Sequence, residues 1–430
     1  MTLSTDPTMA ETLLADRVRT ARSSEVRKVF MASQKRGVIS FAGGAPYLGV
    51  LPFDRLAASA RRIMAGSGAV SLQYGASQGI PELRRHVCAL MELEGISADP
   101  DDIVVTSGSQ QALDLAARIL VNPGDVIFAE APSYAGGLAV FTGYQAEIIH
   151  VPVDGEGLVP EELEQAIAAV QTTGRTAKGL YTIPNFQNPR GINLSAERRH
   201  QIGEICRRNG LLIFEDNPYG LLAFDGNTRR AIQPDFPDIT MYFGSFSKII
   251  APGLRLGWVL PPAGLYSHFV NASETTLLNP PVYNQQLLCD YLDNPAWKAT
   301  LDESRGLYEK KGAALVEALE QAMPAGTSWI HPTGGFYLWL TLPEGVDTGS
   351  LVFECIERGV AYVPGTAFYA DGRGSNELRL SFCLPTIDEI RKGGAILGQL
   401  FREATEAGTA CAAATDDRPR NHPGRPSKTS

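Results

Sequence analysis

The hydrophobic positions between residues 80 and 245 fall into two alternating kinds of run. Stretches of nearly continuous apolar character at 102–105, 126–130, 146–153, 178–183, 211–215 and 241–244 each predict a buried strand. Stretches with helical spacing lie before and between them, at 80–94, 112–120, 133–144, 160–170 and 195–209. Pro81 stands in the first turn of one such helix, where its missing N–H costs nothing, and Ser195 is placed to N-cap another. Apolar strands alternating with helices predict an α/β fold, a mostly parallel sheet covered on both faces.

The flanks read differently. Residues 23–34 (SSEVRKVFMASQ) predict a short amphipathic helix capped by Ser23, and 39–46 (ISFAGGAP) a strand fragment opening into a Gly43-Gly44 turn. A helix follows at 53–64, then the polar loop LQYGASQG. From 296 to 322 one helical period runs unbroken. Shorter elements follow at 336–340, 350–358, 360–363 and 377–382, before a helix at 387–402. The predicted organisation is a mobile arm (1–22), a helix and segment joining the small domain (23–50), a large domain (51–300), a small α+β domain (301–403) and a disordered tail (404–430).

Composition narrows the partners. The net charge of −9 is spread without long blocks of either sign, which argues against a nucleic-acid surface. No apolar run reaches the roughly 18 residues of a membrane helix, and the N-terminus lacks the apolar core of a signal peptide. The six cysteines are scattered with no metal-ligand spacing, as expected of reduced thiols in the cytoplasm, and the six histidines do not cluster.

In an open parallel sheet, ligands bind beyond the carboxyl ends of the strands. There the sequence places Gly108, Ser109 and Gln110 at a helix start, Asn188 before a proline, Asp216 and Tyr219, and then Ser245, Ser247 and Lys248, with Arg255 seven residues further on. Taken singly, each has a plainer explanation: a cap, an Asn-Pro turn, a strand-end aspartate. Together they match what pyridoxal 5'-phosphate requires. A buried lysine such as Lys248 loses its proton readily and can hold an aldehyde as a Schiff base, then act as base at the substrate α-carbon. Asp216 would keep a pyridine nitrogen protonated, and Asn188 and Tyr219 would bond a phenolic oxygen. Ser109, Gln110, Ser245, Ser247 and Arg255 would hold a phosphate, Arg255 in bidentate fashion.

On these residues, and on the stretches SFAGGAP, LQYGASQG, TSGSQQALDL, EAPSY, IPNFQNPRG and GSFSKIIAPGLRLGW, the chain resembles the fold-type I aminotransferases of class I and II over residues 20–403. It is most similar to the subgroup containing 2-aminoadipate and kynurenine aminotransferases and the MocR-type regulators. The resemblance implies a seven-stranded-type sheet sandwiched by helices, with a smaller C-terminal α+β domain. It implies that Tyr134 stacks on the cofactor and that Tyr74 reaches the phosphate of a neighbouring subunit, hence a homodimer with shared sites. It assigns Arg379 to the substrate α-carboxylate, with Asn188 and the Gly44 backbone beside it. Arg27, on the N-terminal helix, would meet the distal end of the substrate; its plainer explanation is a solvated helix face.

Two departures bear on the substrate. The chain has Asp216-Asn217-Pro218-Tyr219 where the subgroup often has a second aspartate, and the segment 277–281 (LLNPP) is not closely matched. The activity implied is transfer of the amino group of an aromatic, arylglycine-like or 2-aminoadipate-like L-amino acid to a 2-oxo acid such as 2-oxoglutarate. Elimination, decarboxylation or cyclisation on the same cofactor is the alternative within the fold. A MocR-like effector-binding domain is the alternative of another class, disfavoured by the acidic balance and by a catalytic body that begins near residue 25.

Overall fold

Strands without a polar face must be covered on both sides, and the sheet is built accordingly. The computed structural model describes residues 9–19 and 25–416. In chain order its strands are β1 (Ile39–Ser40), β2 (Val104–Thr106), β3 (Val126–Ala131), β4 (Glu147–Asp154), β5 (Gly157–Leu158), β6 (Ala177–Thr182) and β7 (Leu212–Asp216). They continue with β8 (Thr240–Ser245), β9 (Gly257–Leu260), β10 (Ser328–Trp329), β11 (Tyr337–Thr341), β12 (Val360–Ala361), β13 (Val363–Pro364) and β14 (Glu377–Ser381). The large sheet has the order β2-β9-β8-β7-β6-β3-β4-β5. Strands β4, β3, β6, β7 and β8 run parallel, β9 is antiparallel to both of its neighbours, and the short β5 folds back on β4.

Side chains alternate between the two faces of a strand, and each face has its own core. On β3, Ile127 and Ala129 join one apolar cluster while Val126 and Phe128 join the other. Likewise Tyr181 and Phe214 face one way, and Leu180 and Ile213 the other. The first face packs on the helices Pro81–Glu92, Ser109–Leu120 and Val282–Asp293; the second packs on Pro160–Thr172 and Ala196–Arg208. The chain therefore has the α/β fold with a large, mostly parallel sheet between helices.

A second, antiparallel sheet has the order β10-β11-β14-β13 and is flanked by the helices Trp297–Ala322 and Ile387–Asp416. Strand β1 pairs with β12, and the Ser381 N–H donates to the Phe41 carbonyl at 2.8 Å. These bonds lay the segment after β1 along β14. The seam between the two sheets is where the site lies.

Several elements differ from the hydrophobic reading. The helices Tyr266–Leu277 and Val282–Asp293 have no counterpart in it. Polar residues on the inner face blur their pattern: Gln285 is fully buried, accepting from the Ile80 N–H at 2.9 Å and donating to the Pro280 carbonyl at 3.0 Å. The helix expected at 53–64 runs from Phe53 to Ser71 with a kink at Ser67, because Gly66 and Gly68 interrupt the apolar spacing without ending the helix. The final helix is assigned as far as Asp416, into the stretch expected as a tail, and its alanines and glutamates favour helix. The remainder of the tail (417–430), Ser23, and residues 1–8 and 20–22 of the expected arm lie outside the described residues. Residues 9–18 of the arm are exposed and include a short helix, Met9–Thr12. Among the described residues, no helix is long and apolar enough to cross a membrane and no group of side chains could hold a metal ion.

Candidate active site

The parallel strands direct their carboxyl ends to one edge of the sheet, and most of the singled-out residues collect there. Tyr134 follows β3, Asn188 follows β6, Asp216 ends β7, and Ser245 ends β8 just ahead of Ser247 and Lys248. Together with Ser109, Gln110, Arg255 and Tyr219 they line one cavity of about 460 Å³. Gly44 and Arg27 close it from the N-terminal segment and Arg379 from β14. Gly108 sits just behind the cavity wall. Tyr74 stands apart: it is 76% exposed and does not line the cavity.

At the floor, Asp216 is buried. Its Oδ2 accepts from the Tyr181 hydroxyl at 2.8 Å, and its Oδ1 has no partner among the described residues. Burial pushes the carboxyl up to about 6, against the opposing pull of the Tyr181 hydrogen bond and the Lys248 charge. A buried oxygen with nothing to accept costs about 1–3 kcal/mol, so the site is complementary to an N–H placed there. The Lys248 amine donates to the Gly44 carbonyl at 2.8 Å.

At one side of the cavity, the helix Ser109–Leu120 begins without a side-chain cap, because its N-cap is Gly108. An uncapped helix N-terminus with its dipole favours an anion. Gly108 has φ +86, and a Cβ there would come within 2.6 Å of Arg255 Nη2. Arg255 itself adopts a left-handed backbone (φ 50, ψ 52), and its Nη2 donates to the Ser107 carbonyl at 3.1 Å. This tucks the guanidinium against the turn ahead of the helix. The Ser247 N–H donates to Ser245 Oγ at 3.1 Å, closing a small loop of hydroxyl groups opposite. These residues fit pyridoxal phosphate: one cavity holds an unpartnered carboxylate oxygen that could accept from a ring N–H, a lysine amine that could take an aldehyde, and an arginine beside a helix N-terminus that could hold a phosphate.

At the mouth, Arg379 is 4% exposed in the middle of β14. It donates from Nη1 to Asn188 Oδ1 at 2.9 Å and from Nη2 to the Ala42 carbonyl at 2.7 Å, while Nε has no partner among the described residues. Its guanidinium lies over the rings of Tyr337 (4.4 Å) and Phe368 (4.9 Å). The Tyr219 hydroxyl donates to Tyr337 at 3.3 Å, and a side chain at Gly44 would collide with that same Tyr337 hydroxyl. The Tyr134 hydroxyl donates to Gln110 Oε1 at 3.1 Å, and burial pushes its phenol above the usual range.

Tyr337 and Tyr181 carry no role in the sequence reading. Both sit in strands whose apolar alternation accounts for them without a ligand, and only the register of β11 against β14 places Tyr337 on the same face as Arg379. The Asn217 departure also has a local cause. Asn217 donates to Glu94 Oε1 at 2.8 Å and accepts from Asn185 at 3.0 Å, while Tyr242 donates to the other Glu94 oxygen. An aspartate at 217 would lack the amide N–H that Asn217 donates to Glu94.

Residues 36–394 match the family model for aminotransferases of class I and II. The chain is 35% identical over 384 residues to aromatic-amino-acid aminotransferase 1 of Thermococcus litoralis, covering 89% of this chain and 92% of that one. It is 32% identical over 387 residues to the 2-aminoadipate transaminase of Thermus thermophilus, covering 89% and 94%. Among solved structures, the kynurenine aminotransferase of Pyrococcus horikoshii, in complex with PMP, KYN and KYA, is 36% identical with a TM-score of 0.87, covering 92% of this chain and 98% of that one. These likenesses span both sheets and the cavity between them, and on them the chain belongs to the class I and II aminotransferases, transaminases that work with pyridoxal phosphate.

Proposed function

We propose that the enzyme transfers the amino group of an aromatic, arylglycine-like or 2-aminoadipate-like L-amino acid to a 2-oxo acid such as 2-oxoglutarate, in a ping-pong cycle. The observation that carries this reading is the meeting of the Lys248 amine and the buried Arg379 guanidinium in one cavity. Pyridoxal phosphate, when bound, supplies an aldehyde for imine formation and a ring that draws electrons from the α-carbon.

The chain's own residues do the rest. Gly108, Ser109, Gln110, Ser245, Ser247 and Arg255 hold the phosphate, and the free oxygen of Asp216 holds the proton of the ring nitrogen. Tyr134 packs on the ring, and Asn188 and Tyr219 bond its phenolic oxygen. Arg379 gives up its contact with Asn188 or Ala42 to grip the substrate carboxylate, and the Gly44 backbone lies alongside. That grip fixes the α-carbon near Lys248, whose amine takes the α-proton as base and returns it as acid.

Donor preference is read from the cavity wall. Phe30, Tyr134 and Tyr337 offer aromatic surface, and Arg27 offers a cation for a distal carboxylate. The names of the relatives, which span aromatic amino acids, 2-aminoadipate and kynurenine, support a site that takes both kinds. The exposure of Tyr74, Leu72 and Leu278 supports a homodimer in which Tyr74 reaches the partner's phosphate site. The presence of two separate sheets supports a division into a large domain (51–300) and a small one (301–403). The free, buried cysteines among the described residues suit a cytoplasmic enzyme.

A screen of amino donors against 2-oxoglutarate and pyruvate, read as the 2-oxo acid formed, tests the reading. Arg27→Ala is expected to lower kcat/KM for 2-aminoadipate by about tenfold or more while aromatic donors change less than about threefold. Equal loss for all donors would contradict the role given to Arg27.

A further inference from the structure

The ring of Tyr337 lends aromatic surface to the donor wall, but its hydroxyl has no part in the reaction as described, although Tyr337 touches three of the groups on which that reaction depends. It is 2% exposed and lines the cavity from β11. Its ring face carries the Arg379 guanidinium at 4.4 Å, and its edge meets the ring of Tyr219 at 5.8 Å and 84°. A phenylalanine would supply both of these surfaces. The hydroxyl is what remains to be explained, since a buried phenol requires a partner. Among the described residues, the hydrogen-bond partner of that hydroxyl is the hydroxyl of Tyr219, at 3.3 Å. The Gly44 main chain presses against it from the other side, at a point where any side chain would collide.

Without a ligand, the Tyr219 hydroxyl donates a hydrogen bond to that of Tyr337. We propose that this bond reverses when pyridoxal phosphate is held: Tyr219 turns its proton to the phenolic oxygen of the cofactor, and Tyr337 donates its own to Tyr219. No proton changes owner; two hydroxyl rotors turn. Tyr337 is then a positioning residue that sets how strongly Tyr219 donates, because a hydroxyl that accepts a hydrogen bond becomes a better donor, by something like 10–30% per bond. The other titratable or charged groups facing the pair are Tyr134 after β3, Asp216 at the end of β7, Lys248 after β8 and Arg379 on β14. The Tyr134 hydroxyl is engaged with Gln110, Asp216 with Tyr181, and Arg379 with Asn188 and Ala42. The inference rests on the reading of Lys248 and Tyr219 as partners of the cofactor.

The test follows the absorption of the Lys248-bound chromophore of the holoenzyme against pH, in wild type, Tyr337→Phe, Tyr219→Phe and the double variant. A stronger Tyr219 donor stabilises the phenolate and lowers the affinity of the neighbouring imine for a proton. Tyr337→Phe is therefore expected to raise the titration midpoint by about half a pH unit, roughly threefold in proton affinity. Tyr219→Phe should raise it further, and the double variant should match Tyr219→Phe alone, because the relay acts only through Tyr219. An unchanged midpoint in Tyr337→Phe, or a shift that persists undiminished in the Tyr219→Phe background, overturns the proposal. A chromophore left intact by Lys248→Ala overturns the underlying reading of the site instead.

Discussion

The two sides of the cavity are built in opposite ways. The cofactor side is made from the ends of neighbouring strands in one sheet: β6, β7 and β8 deliver Asn188, Asp216 and Lys248 in chain order, with buried acids behind them. The substrate side is assembled from the helix Glu25–Ala32 and the turn at Gly44, near one end of the chain, and from strands β11 (Tyr337–Thr341) and β14 (Glu377–Ser381), near the other. One side inherits its geometry from sheet register. The other depends on two sheets meeting correctly. On the proposed function, chemistry is held by the more local part of the fold, and selectivity by the part that must be brought together.

Substitutions on the two sides should fail differently. The largest loss is expected from Asp216→Asn on the cofactor side. Without the carboxylate the ring nitrogen loses its proton partner, and kcat should fall on the order of 100-fold in steady-state assays with little change in donor KM. On the substrate side, Arg379→Lys keeps the charge but removes the planar fork and its stacking on Tyr337 and Phe368. It should lower kcat/KM about 10- to 100-fold, mainly through KM, and leave the cofactor spectrum unchanged. If both variants lost kcat equally, the division between the two sides would be wrong.

The smallest effect concerns the layer behind the cofactor side. Glu94 is buried with both oxygens accepting hydrogen bonds, yet burial outweighs these bonds and pushes its carboxyl up to about 8. A group whose pKa is raised on folding contributes stability that is full below its unfolded value near 4.5 and is lost as pH rises through its folded value. Stability of the ligand-free chain should therefore decline between pH 5 and pH 8 through this group, by on the order of 2–4 kcal/mol. Glu94→Gln should flatten that decline in urea unfolding followed across the same range. A slope unchanged by the substitution would remove Glu94 as its source.

The same division explains what was legible in the sequence. Asp216, Lys248 and Asn188 stand where continuous apolar runs stop, and a strand end in a parallel sheet is a functional position by geometry alone. Tyr337 was hidden because an aromatic residue in an alternating strand is already explained by core packing, and its partners Tyr219 and Arg379 lie 118 and 42 positions away. The helix Val282–Asp293 was missed for the converse reason. Gln285 reads as a solvent-facing residue, but the fold buries it to satisfy the Ile80 N–H and the Pro280 carbonyl. Polar residues recruited to bond a distant backbone cannot be told from surface residues until that backbone is in place.

The central claim is that Lys248 forms the covalent link to the cofactor. Borohydride reduction of the holoenzyme, followed by proteolysis and mass spectrometry of the peptides, tests it most directly. The predicted result is a phosphopyridoxyl group on the peptide carrying Lys248. Its appearance on another lysine, such as the buried Lys311 of the helix Trp297–Ala322, or its absence from every peptide, would contradict the account.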